Sequence, residues 1–418
     1  MKVGLSLDEM ALGGGPKFML DLGRCLVAAG HRVTVLAEGA GGWESLLASA
    51  GLDLQHPPPR PWATFRQRAR RMAEDWNRAG FDAIVVNVGH LNRLALGAMH
   101  FLDAQVPVMF VLHGDWESLY SLAEQHLPVW NCAVGVGPKV HAAASARFPG
   151  KPVFLVQNGV AIPGGSEMRA RADWSAPLRL VFVGRLIDSH KGIFRLAPIL
   201  AACRRRGVDV RLTVVGSGPD GDELRARFGS AGVLDLVDLA GERPPDEIPA
   251  ILRAHHVLLF PTNTEGMPLV VLESLANGCV PVVTRLPGIT DTAVEDRVSG
   301  RLVAPGDVEG FASEVTALVD PETWRGHSRE AAARARREFD VKTMGNRYLA
   351  LLDDMASGRF PLEEPFATSR SLAPMPFTSE DHLPPIVLRT VSPGVLRAMI
   401  RLRRRLNRVL GGPPSGAV

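Results

Sequence analysis

Residues 260–281 read FPTNTEGMPLVVLESLANGCVP, a stretch that joins a strand end, a glycine-containing loop and a helix start. The apolar run 256–260 predicts a buried strand that ends at Pro261. A helix is predicted to begin at Met267 or Pro268, because proline fits the first helical turn, where its missing N–H has no cost. A strand followed by a loop and a helix is the unit from which α/β sheets are built.

The start of this predicted helix is suited to bind an anion. Its first backbone N–H groups, from Gly266 to Leu269, have no partner within the helix and lie at the positive end of its dipole. Glu265 precedes them in the loop, and Glu273 follows about a turn and a half into the helix. Because Glu273 stands among apolar residues, it needs a partner or a ligand, since an unpaired buried charge is too costly.

The two glutamates and the residues around them resemble the Glu-x7-Glu signature of retaining glycosyltransferases of family four, which have the GT-B fold. The resemblance implies that Glu265 contacts the donor sugar and that the backbone from Gly266 to Leu269 holds sugar and phosphate. It also implies that Glu273 binds the ribose hydroxyls. From the residues alone, a surface loop glutamate and a helix glutamate that reaches solvent remain the alternative.

The composition is that of a globular protein with a sizeable core. The chain has 418 residues, of which 46% are hydrophobic and 22% are charged, and this length accommodates two domains. The N-terminus reads as a strand followed by Asp8 and Glu9, so no signal peptide is expected, and no apolar run approaches the roughly 20 residues of a membrane span. The four cysteines have no paired spacing, which predicts neither a zinc site nor disulfides and favours a cytoplasmic location: Cys25, Cys132, Cys203 and Cys279.

Strands alternate with helical segments in both halves of the chain, which predicts parallel sheets covered on both faces. The expected architecture is α/β, with two Rossmann-like doubly wound domains facing across a cleft. The predicted strands are Lys2–Ser6, Arg32–Ala37, Ala83–Val88, Val106–Leu112, Ala133–Val136, Val153–Val156, Leu178–Val183, Val210–Val215, Leu236–Leu239, Val257–Phe260 and Val280–Thr284.

The predicted domain boundaries follow the change in composition along the chain and the resemblance. Residues 1–163 form the N-terminal acceptor domain, and Asn158-Gly159-Val160 resembles the usual end of this domain in the family. Residues 175–324 form the nucleotide-sugar domain, after a linker rich in glycine and proline. The resemblance implies that helices in 325–357 cross back to the first domain. Residues 358–391 are rich in proline and are predicted to be a flexible linker.

Two cations are expected to hold a diphosphate. Arg185 follows a predicted strand in Gly184-Arg185-Leu186, and Lys191 is predicted to open the next helix. Arginine offers a planar fork of donors and lysine a compact charge. The pair resembles the Gly-Arg-Leu…Lys-Gly element with which the family binds the phosphates of the donor. Two solvated surface cations are the alternative.

Three residues of the N-terminal half are further candidates. His113 closes a predicted strand, where it could cap the next turn; the resemblance implies instead that it faces the donor sugar. Gly14 and Gly15 lie in a glycine-rich turn before the first helix. They would let the backbone approach a phosphate or the acceptor, although an ordinary turn explains them almost as well.

A second glycine-rich stretch, 216–221, reads GSGPDG and fits the dinucleotide-binding pattern G-x-G-x-x-G. Taken literally it predicts an oxidoreductase. It follows the second strand after the linker rather than the first, and Pro219 stands where an amide should face a pyrophosphate. Asp220 and Asp222 could hold a metal-bound diphosphate, but acids just before a helix more often cap it. No metal is therefore expected.

These features together predict a retaining, metal-independent glycosyltransferase that uses a nucleotide-diphosphate sugar. The acceptor is expected to be a glycan or a lipid-linked saccharide, in cell-envelope or extracellular polysaccharide synthesis. The alternatives are a dinucleotide-dependent oxidoreductase and a non-catalytic GT-B-like binding protein. The nucleotide base, the sugar, the acceptor and the linkage are left open.

The C-terminal residues 392–418 are strongly basic. They contain six arginines and no acid, and without them the formal net charge changes from +3 to −3, which argues against a general nucleic-acid binder. Apolar residues at alternating spacings of four and three predict a basic amphipathic helix that binds an anionic membrane, such as the inner face of the plasma membrane. Docking on the protein body and pairing with another subunit are the alternatives. A second candidate for the membrane contact is a helix with Trp62, Phe65, Arg66, Arg70 and Arg71.

Overall fold

The computed structural model describes residues 1–9, 13–39, 42–57, 62–89, 92–164, 177–364 and 366–370. The predicted basic tail, 392–418, lies outside the described residues, as do residues 371–391 of the predicted linker and most of the linker between the two halves. Within the described ranges, no helix is long and apolar enough to cross a bilayer.

The N-terminal half forms a parallel sheet with the order β3-β2-β1-β4-β5-β6-β7. Its inner strands are runs of valine, isoleucine and leucine buried on both faces, as parallel strands covered by helices require. The strands are β1 (Lys2–Glu9), β2 (Arg32–Gly39), β3 (Asp53–Gln55), β4 (Ala83–Asn87), β5 (Val108–Leu112), β6 (Cys132–Gly135) and β7 (Val153–Leu155).

The C-terminal half repeats this plan in a parallel sheet with the order β10-β9-β8-β11-β12-β13. The predicted pair of Rossmann-like domains is therefore confirmed. Two strands were not predicted, β3 and β13, and each has only three residues at a sheet edge. The strands are β8 (Leu178–Val183), β9 (Val210–Val215), β10 (Val237–Gly241), β11 (Val257–Phe260), β12 (Val280–Thr284) and β13 (Arg301–Val303).

Helices cover both sheets. Those of the N-terminal half are α1 (Gly14–Ala28), α2 (Glu44–Ser49), α3 (Phe65–Ala79), α4 (Arg93–Ala98), α5 (Glu117–Gln125) and α6 (Pro138–Arg147). Those that follow are α7 (Asp188–Lys191), α8 (Leu196–Arg205), α9 (Gly221–Ser230), α10 (Ile248–Ala254), α11 (Leu269–Ala276), α12 (Thr290–Ala293), α13 (Val308–Ala317), α14 (Pro321–Glu338) and α15 (Val341–Ala356).

The strand order reverses beside the first strand of each sheet. In the N-terminal sheet β1 lies between β2 and β4, and in the C-terminal sheet β8 lies between β9 and β11. Ligands of open α/β sheets bind outside the carboxyl ends of the strands at such a point. The segments after β1, β5, β8 and β11 are therefore placed to form a site between the domains.

The chain returns to the N-terminal domain after α14. Val160, at the end of that domain, donates its amide to the carbonyl of Phe339 at 2.8 Å and accepts from the amide of Val341 at 3.0 Å. Helix α15 then packs on α1, where Gly345 lies so close to Cys25 that an added Cβ would be 2.6 Å from the Cys25 Cβ. The last helix thus belongs to both halves of the molecule.

The prediction of a flexible linker is wrong for the described part of that segment, residues 358–364 and 366–370. Asn131 donates its side-chain amide to the carbonyl of Phe360 at 2.8 Å, and the Phe360 ring packs on Phe154. Arg370 is fully buried in the N-terminal domain, where its guanidinium donates to the carbonyls of Asp103, Val106 and Val129. Arg370 satisfies these buried carbonyl oxygens and so fastens the segment to the N-terminal domain. The composition of the segment does not reveal this contact.

Candidate active site

Glu265 is held in one orientation just before α11. It is 7% exposed, and its Oε1 accepts hydrogen bonds from Lys191 Nζ at 2.6 Å and from Thr262 Oγ1 at 2.8 Å. Helix α11 begins at Leu269, slightly later than predicted, because Pro268 keeps an extended ψ of 109° at the N-cap position. The buried carboxylate and the start of the helix therefore share one loop.

Lys191 reaches Glu265 from the end of a short helix. The prediction that it opens the next helix is wrong, because α7 stops at Lys191 and Gly192 adopts a left-handed φ of 60°. Glycine is required there, since an added Cβ would lie 2.1 Å from the carbonyl oxygen of Pro261. The turn directs the lysine over the Phe260 ring, 5.3 Å from its centroid, toward the loop after β11.

Arg185 lies where the sequence predicts, directly after β8. Its side chain is exposed, and no described residue forms a hydrogen bond or an ion pair with its guanidinium. It is therefore available to a ligand, in contrast to Lys191, whose ammonium already has a carboxylate partner. The two cations follow the same strand, one at its end and the other one helical turn later.

The loop after β11 touches the N-terminal domain directly. Gly266 pairs with Gly114 in an isolated antiparallel bridge. An added Cβ on Gly266 would lie 1.8 Å from the carbonyl oxygen of His113, so only glycine permits this approach. Asn158 donates its side-chain amide to the carbonyl of Met267 at 3.1 Å. The backbone around the start of α11 is thus held by both domains.

His113 lies beside this contact, and its imidazole is shielded from solvent. Its ring meets the edge of Phe18 at a centroid distance of 4.7 Å, and burial lowers its pKa to about 4. Within the described part of the chain, its Nε2 is buried without a hydrogen-bond partner. At neutral pH the imidazole is uncharged, and it has an unused nitrogen next to the Gly114–Gly266 contact.

Glu273 has a partner from the opposite domain. Its carboxylate, 12% exposed, lies 4.0 Å from Lys17 Nζ on α1, and Lys17 also pairs with the buried Asp21. Burial raises the pKa of Glu273 to about 7, opposed by the positive charge of Lys17 and reinforced by Asp21. The expectation that this helix glutamate needs a partner is met by a lysine of the N-terminal domain.

Gly14 and Gly15 form the start of α1, opposite the start of α11. An added Cβ on Gly14 would be 4.0 Å from a methyl carbon of Leu269, the first residue of α11. Gly15 leaves room for Asn87, whose Nδ2 would be 2.8 Å from an added Cβ. The starts of α1 and α11 therefore lie next to each other, and helix starts are places that favour an anion.

The second glycine-rich stretch serves packing within its own domain. An added Cβ on Gly216 would lie 2.0 Å from the carbonyl oxygen of Gly184, and one on Gly218 would lie 2.4 Å from that of Leu186. Asp220 accepts a hydrogen bond from the amide of Asp188 at 2.7 Å. The glycines and the acid are thus explained by contacts between two loops, and their presence does not require a dinucleotide.

Sequence reasoning missed several residues that shape the site. Thr262 and Lys17 hold the two glutamates, and the Trp116 indole N–H donates to Thr264 Oγ1 at 3.0 Å across the cleft. Asn158 carried a signal, since it stands in the stretch that ends the N-terminal domain. Lys17 and Trp116 pair with residues far away in the chain, for which the sequence contains no local pattern. Thr262 lies only three residues before Glu265, but no motif marks it.

Comparison with known families gives one match for each half of the chain. Residues 12–162 match the family described as Glycosyltransferase Family 4. Residues 177–320 match the family described as Glycosyl transferases group 1. The two matches lie on either side of residues 163–176, and each falls within one of the Rossmann-like halves.

Similar curated proteins are glycosyltransferases. A D-inositol 3-phosphate glycosyltransferase of Acidothermus cellulolyticus is 35% identical over 44% of this chain and 43% of its own length. The putative colanic acid biosynthesis glycosyltransferase WcaL of Salmonella typhimurium is 29% identical over 57% of this chain and 58% of its own. The chain spans about half the length of the curated relatives it matches.

Solved structures share the fold at low identity. Anabaena HepE, in complex with UDP and glucose, superposes with a TM-score of 0.72 at 19% identity, over 85% of this chain and 100% of HepE. TarM of S. aureus, whose structure includes UDP, gives a TM-score of 0.71 at 9% identity, over 84% of this chain and 99% of TarM.

Proposed function

From the premise that this chain belongs to the glycosyltransferases of family four, we propose that it transfers a sugar from a nucleotide-diphosphate sugar to a hydroxyl group of a glycan or a lipid-linked saccharide. Transfer proceeds with retention at the anomeric carbon and needs no metal ion. The relatives WcaL and AmsK are named for colanic acid and amylovoran biosynthesis, which supports a role in polysaccharide synthesis.

One observation carries this proposal: a buried carboxylate, Glu265, is oriented by Lys191 at a helix start that faces the other domain. A carboxylate so held accepts hydrogen bonds from sugar hydroxyls. It also steadies the positive charge that grows on the anomeric carbon as the bond to phosphate breaks. Its position is fixed by two donors, Lys191 and Thr262, so little reorganisation is needed during the reaction.

The departing diphosphate takes the electron pair of the broken bond. Arg185, Lys191 and the amides at the starts of α1 and α11 supply positive electrostatic potential where this charge develops. The acceptor hydroxyl attacks from the same face that the diphosphate leaves, and its proton passes to the departing phosphate oxygen. These groups take the role that a divalent cation has in other transferases, so a chelator leaves the rate unchanged.

His113 and Glu273 have supporting roles in this proposal. The low pKa of His113 keeps its imidazole neutral at pH 7, so it contacts the sugar through a hydrogen bond and does not supply a proton. Glu273 accepts hydrogen bonds from the ribose hydroxyls of the donor. Donor binding then competes with Lys17 for the Glu273 carboxylate and with a proton near neutral pH.

A thermal shift panel of UDP, GDP, ADP and NAD tests the proposal. Selective stabilisation by one nucleoside diphosphate is expected, and UDP is the first candidate because HepE is solved with UDP and with UDP-glucose. Stabilisation by NAD alone would favour an oxidoreductase and contradict the proposal. A diphosphate that binds while no nucleotide sugar is ever turned over would indicate a binding protein instead.

A further inference from the structure

We propose that the N-terminal domain carries a membrane-binding surface at the start of α3 and that its partner is an anionic phospholipid bilayer. This surface, here called the α3 patch, consists of Trp62, Arg66, Arg70 and Phe101. It is separate from the basic tail and from the groups that bind the donor, and its test needs no enzymatic activity.

The start of α3 is a well-fixed platform. Thr64 is the N-cap, and it forms a capping box in which its Oγ1 accepts from the amide of Gln67 while Gln67 Oε1 accepts from the amide of Thr64. The apolar face of α3 is buried in the domain through Ala69, Met72 and Trp76. The opposite face is therefore presented to solvent in one orientation.

The exposed face combines an aromatic ring with cations. Trp62 is 72% exposed, the largest exposure among the large hydrophobic residues of the described chain. Arg66 and Arg70 are exposed, and their guanidinium groups lie 5.8 Å and 5.1 Å from the centroid of the Phe101 ring. Among the described residues, neither arginine has a carboxylate partner. Stacking on one ring holds both charges side by side without neutralising them.

The α3 patch begins at the rim of the cleft with Trp62 and extends along α3 to Phe101, beyond the end of α4. Helix α3 leads into β4 and runs antiparallel to it, so α3 begins at the carboxyl edge of the sheet, where α4 also begins. The Arg93 guanidinium at the start of α4 lies 5.6 Å from the Phe65 ring centroid, which joins the two helix starts. Gly14 and His113 follow β1 and β5 at the same edge. A bilayer on this rim would present a lipid-linked hydroxyl to the side of the cleft.

A bilayer fits this surface better than a soluble polyanion. Tryptophan is enriched where an apolar phase meets water, because its ring is apolar and its N–H is polar. Anionic headgroups attract the arginines, and each contributes roughly a five-fold increase in partitioning. Because Trp62 is the one strongly exposed aromatic side chain of the α3 patch, binding is expected to be reversible and to weaken with salt.

Vesicle flotation of the full chain is the experiment. The vesicles are phosphatidylcholine alone, or phosphatidylcholine mixed with phosphatidylglycerol, at low and at high salt. The parent is expected to float only with the anionic vesicles at low salt. The double variant Arg66→Glu, Arg70→Glu is expected to bind at least about ten-fold more weakly.

The matched control carries the same change in net charge on the other domain. Arg225 and Arg336 are exposed residues of α9 and α14, and the double variant Arg225→Glu, Arg336→Glu is expected to bind within two-fold of the parent. All variants retain the basic tail, so a difference between the two double variants reports the α3 patch. Equal weakening in both would overturn the proposal, because net charge alone would then explain binding.

Tryptophan fluorescence adds a readout of position. The chain has seven tryptophans, and a blue shift on addition of anionic vesicles is expected in the parent and absent in Trp62→Phe. A shift that persists in Trp62→Phe contradicts insertion at this point. If soluble poly-glutamate displaces the parent from vesicles and no shift ever occurs, the α3 patch binds a polyanion rather than a bilayer, and the proposal fails. Absence of any vesicle binding by the parent also refutes it.

Discussion

The two walls of the cleft differ in how they carry charge. On the C-terminal wall, Glu265 and Lys191 form an ion pair with an N···O distance of 2.6 Å next to a helix start. On the N-terminal wall, His113 is neutral at pH 7, and the backbone of His113 and Gly114 lies directly against Gly266. At this contact one wall therefore holds preoriented charges, whereas the other offers an uncharged imidazole and a close backbone surface. The charges that the N-terminal wall brings to the cleft, Lys17 and Asp21, lie on α1 opposite Glu273.

This difference separates two tasks. Charge that develops on a diphosphate is met by cations and helix amides, and most of these lie on the C-terminal wall, in Arg185, Lys191 and the start of α11. A neutral sugar or an acceptor hydroxyl needs hydrogen bonds and a close fit, which the N-terminal wall supplies. Changes on the C-terminal wall should therefore alter the rate of sugar transfer and the affinity for the diphosphate. Changes at the contact between the walls should alter how the two domains fit together.

The largest effect is expected for Glu265→Gln on the C-terminal wall. Glutamine can keep the hydrogen bond from Thr262 but loses the negative charge that steadies the anomeric carbon, so kcat should fall by about 10³-fold. Steady-state turnover of the matching nucleotide sugar measures this, with the exposed Glu330→Gln as control. A Glu265→Gln enzyme within a few-fold of the parent would show that this carboxylate has no part in the chemistry.

The contact between the walls is tested by Gly266→Ala. Its Cβ would lie 1.8 Å from the carbonyl oxygen of His113, so the loop or the domain must move. A displacement on the order of 1 Å in the reacting groups lowers kcat/KM by about 100-fold.

Gly137→Ala is the matched control on the opposite wall, because its Cβ would make two ordinary contacts, with the Gly266 oxygen at 3.5 Å and with the Met267 Cβ at 3.8 Å. It should retain activity within a few-fold. Equal losses in both variants would mean that the Gly114–Gly266 contact is not special.

The sequence predicts the sheets well because their strands are buried on both faces and read as continuous apolar runs. The sequence does not predict β3 and β13, because each of these strands has only three residues and shows no periodic pattern. The sequence also places Lys191 at the start of a helix rather than at its end, because the left-handed turn at Gly192 packs against the carbonyl of Pro261 in a distant loop.

The candidate site is predicted in part for the same reason. Glu265 and Glu273 lie in one local pattern, and the sequence points to both. The hydrogen bond between Trp116 and Thr264 joins residues 148 positions apart, so no local sequence pattern predicts it. The anchoring of Arg370 likewise depends on carbonyl oxygens that only the folded N-terminal domain brings together.

A smaller effect is expected for Lys191→Ala, which should weaken binding of the phosphates but not of the nucleoside. Lys191→Ala removes a charge-assisted contact to the diphosphate, and the affinity for the nucleoside diphosphate should fall by roughly ten-fold or more. The affinity for the nucleoside alone should change little. Isothermal titration with both ligands measures the difference. Equal weakening of both would place the effect in the fold of the loop rather than in a phosphate contact.

The last effect is on stability rather than activity, and it concerns Glu273, whose carboxylate connects the two walls through Lys17. Because its pKa of about 7 in the folded protein exceeds the ordinary 4.5, the folded state binds this proton more tightly than the unfolded state. The free energy of unfolding should therefore fall as pH rises between these two values.

Glu273→Gln lacks this fall, so it should be more stable than the parent at pH 8, by on the order of 3 kcal/mol, and similar to it near pH 4. Urea unfolding at several pH values measures both curves. Parallel curves would contradict the raised pKa.

Nucleotide-sugar cleavage followed by proton NMR, in the presence of a chelator, tests the central claim most directly. The parent protein is expected to release nucleoside diphosphate from one nucleotide sugar of a UDP, GDP and ADP series. The first-formed sugar product should have the anomeric configuration of the donor. Release from none of these donors, release that requires an added metal ion, or a first product of inverted configuration would contradict the account.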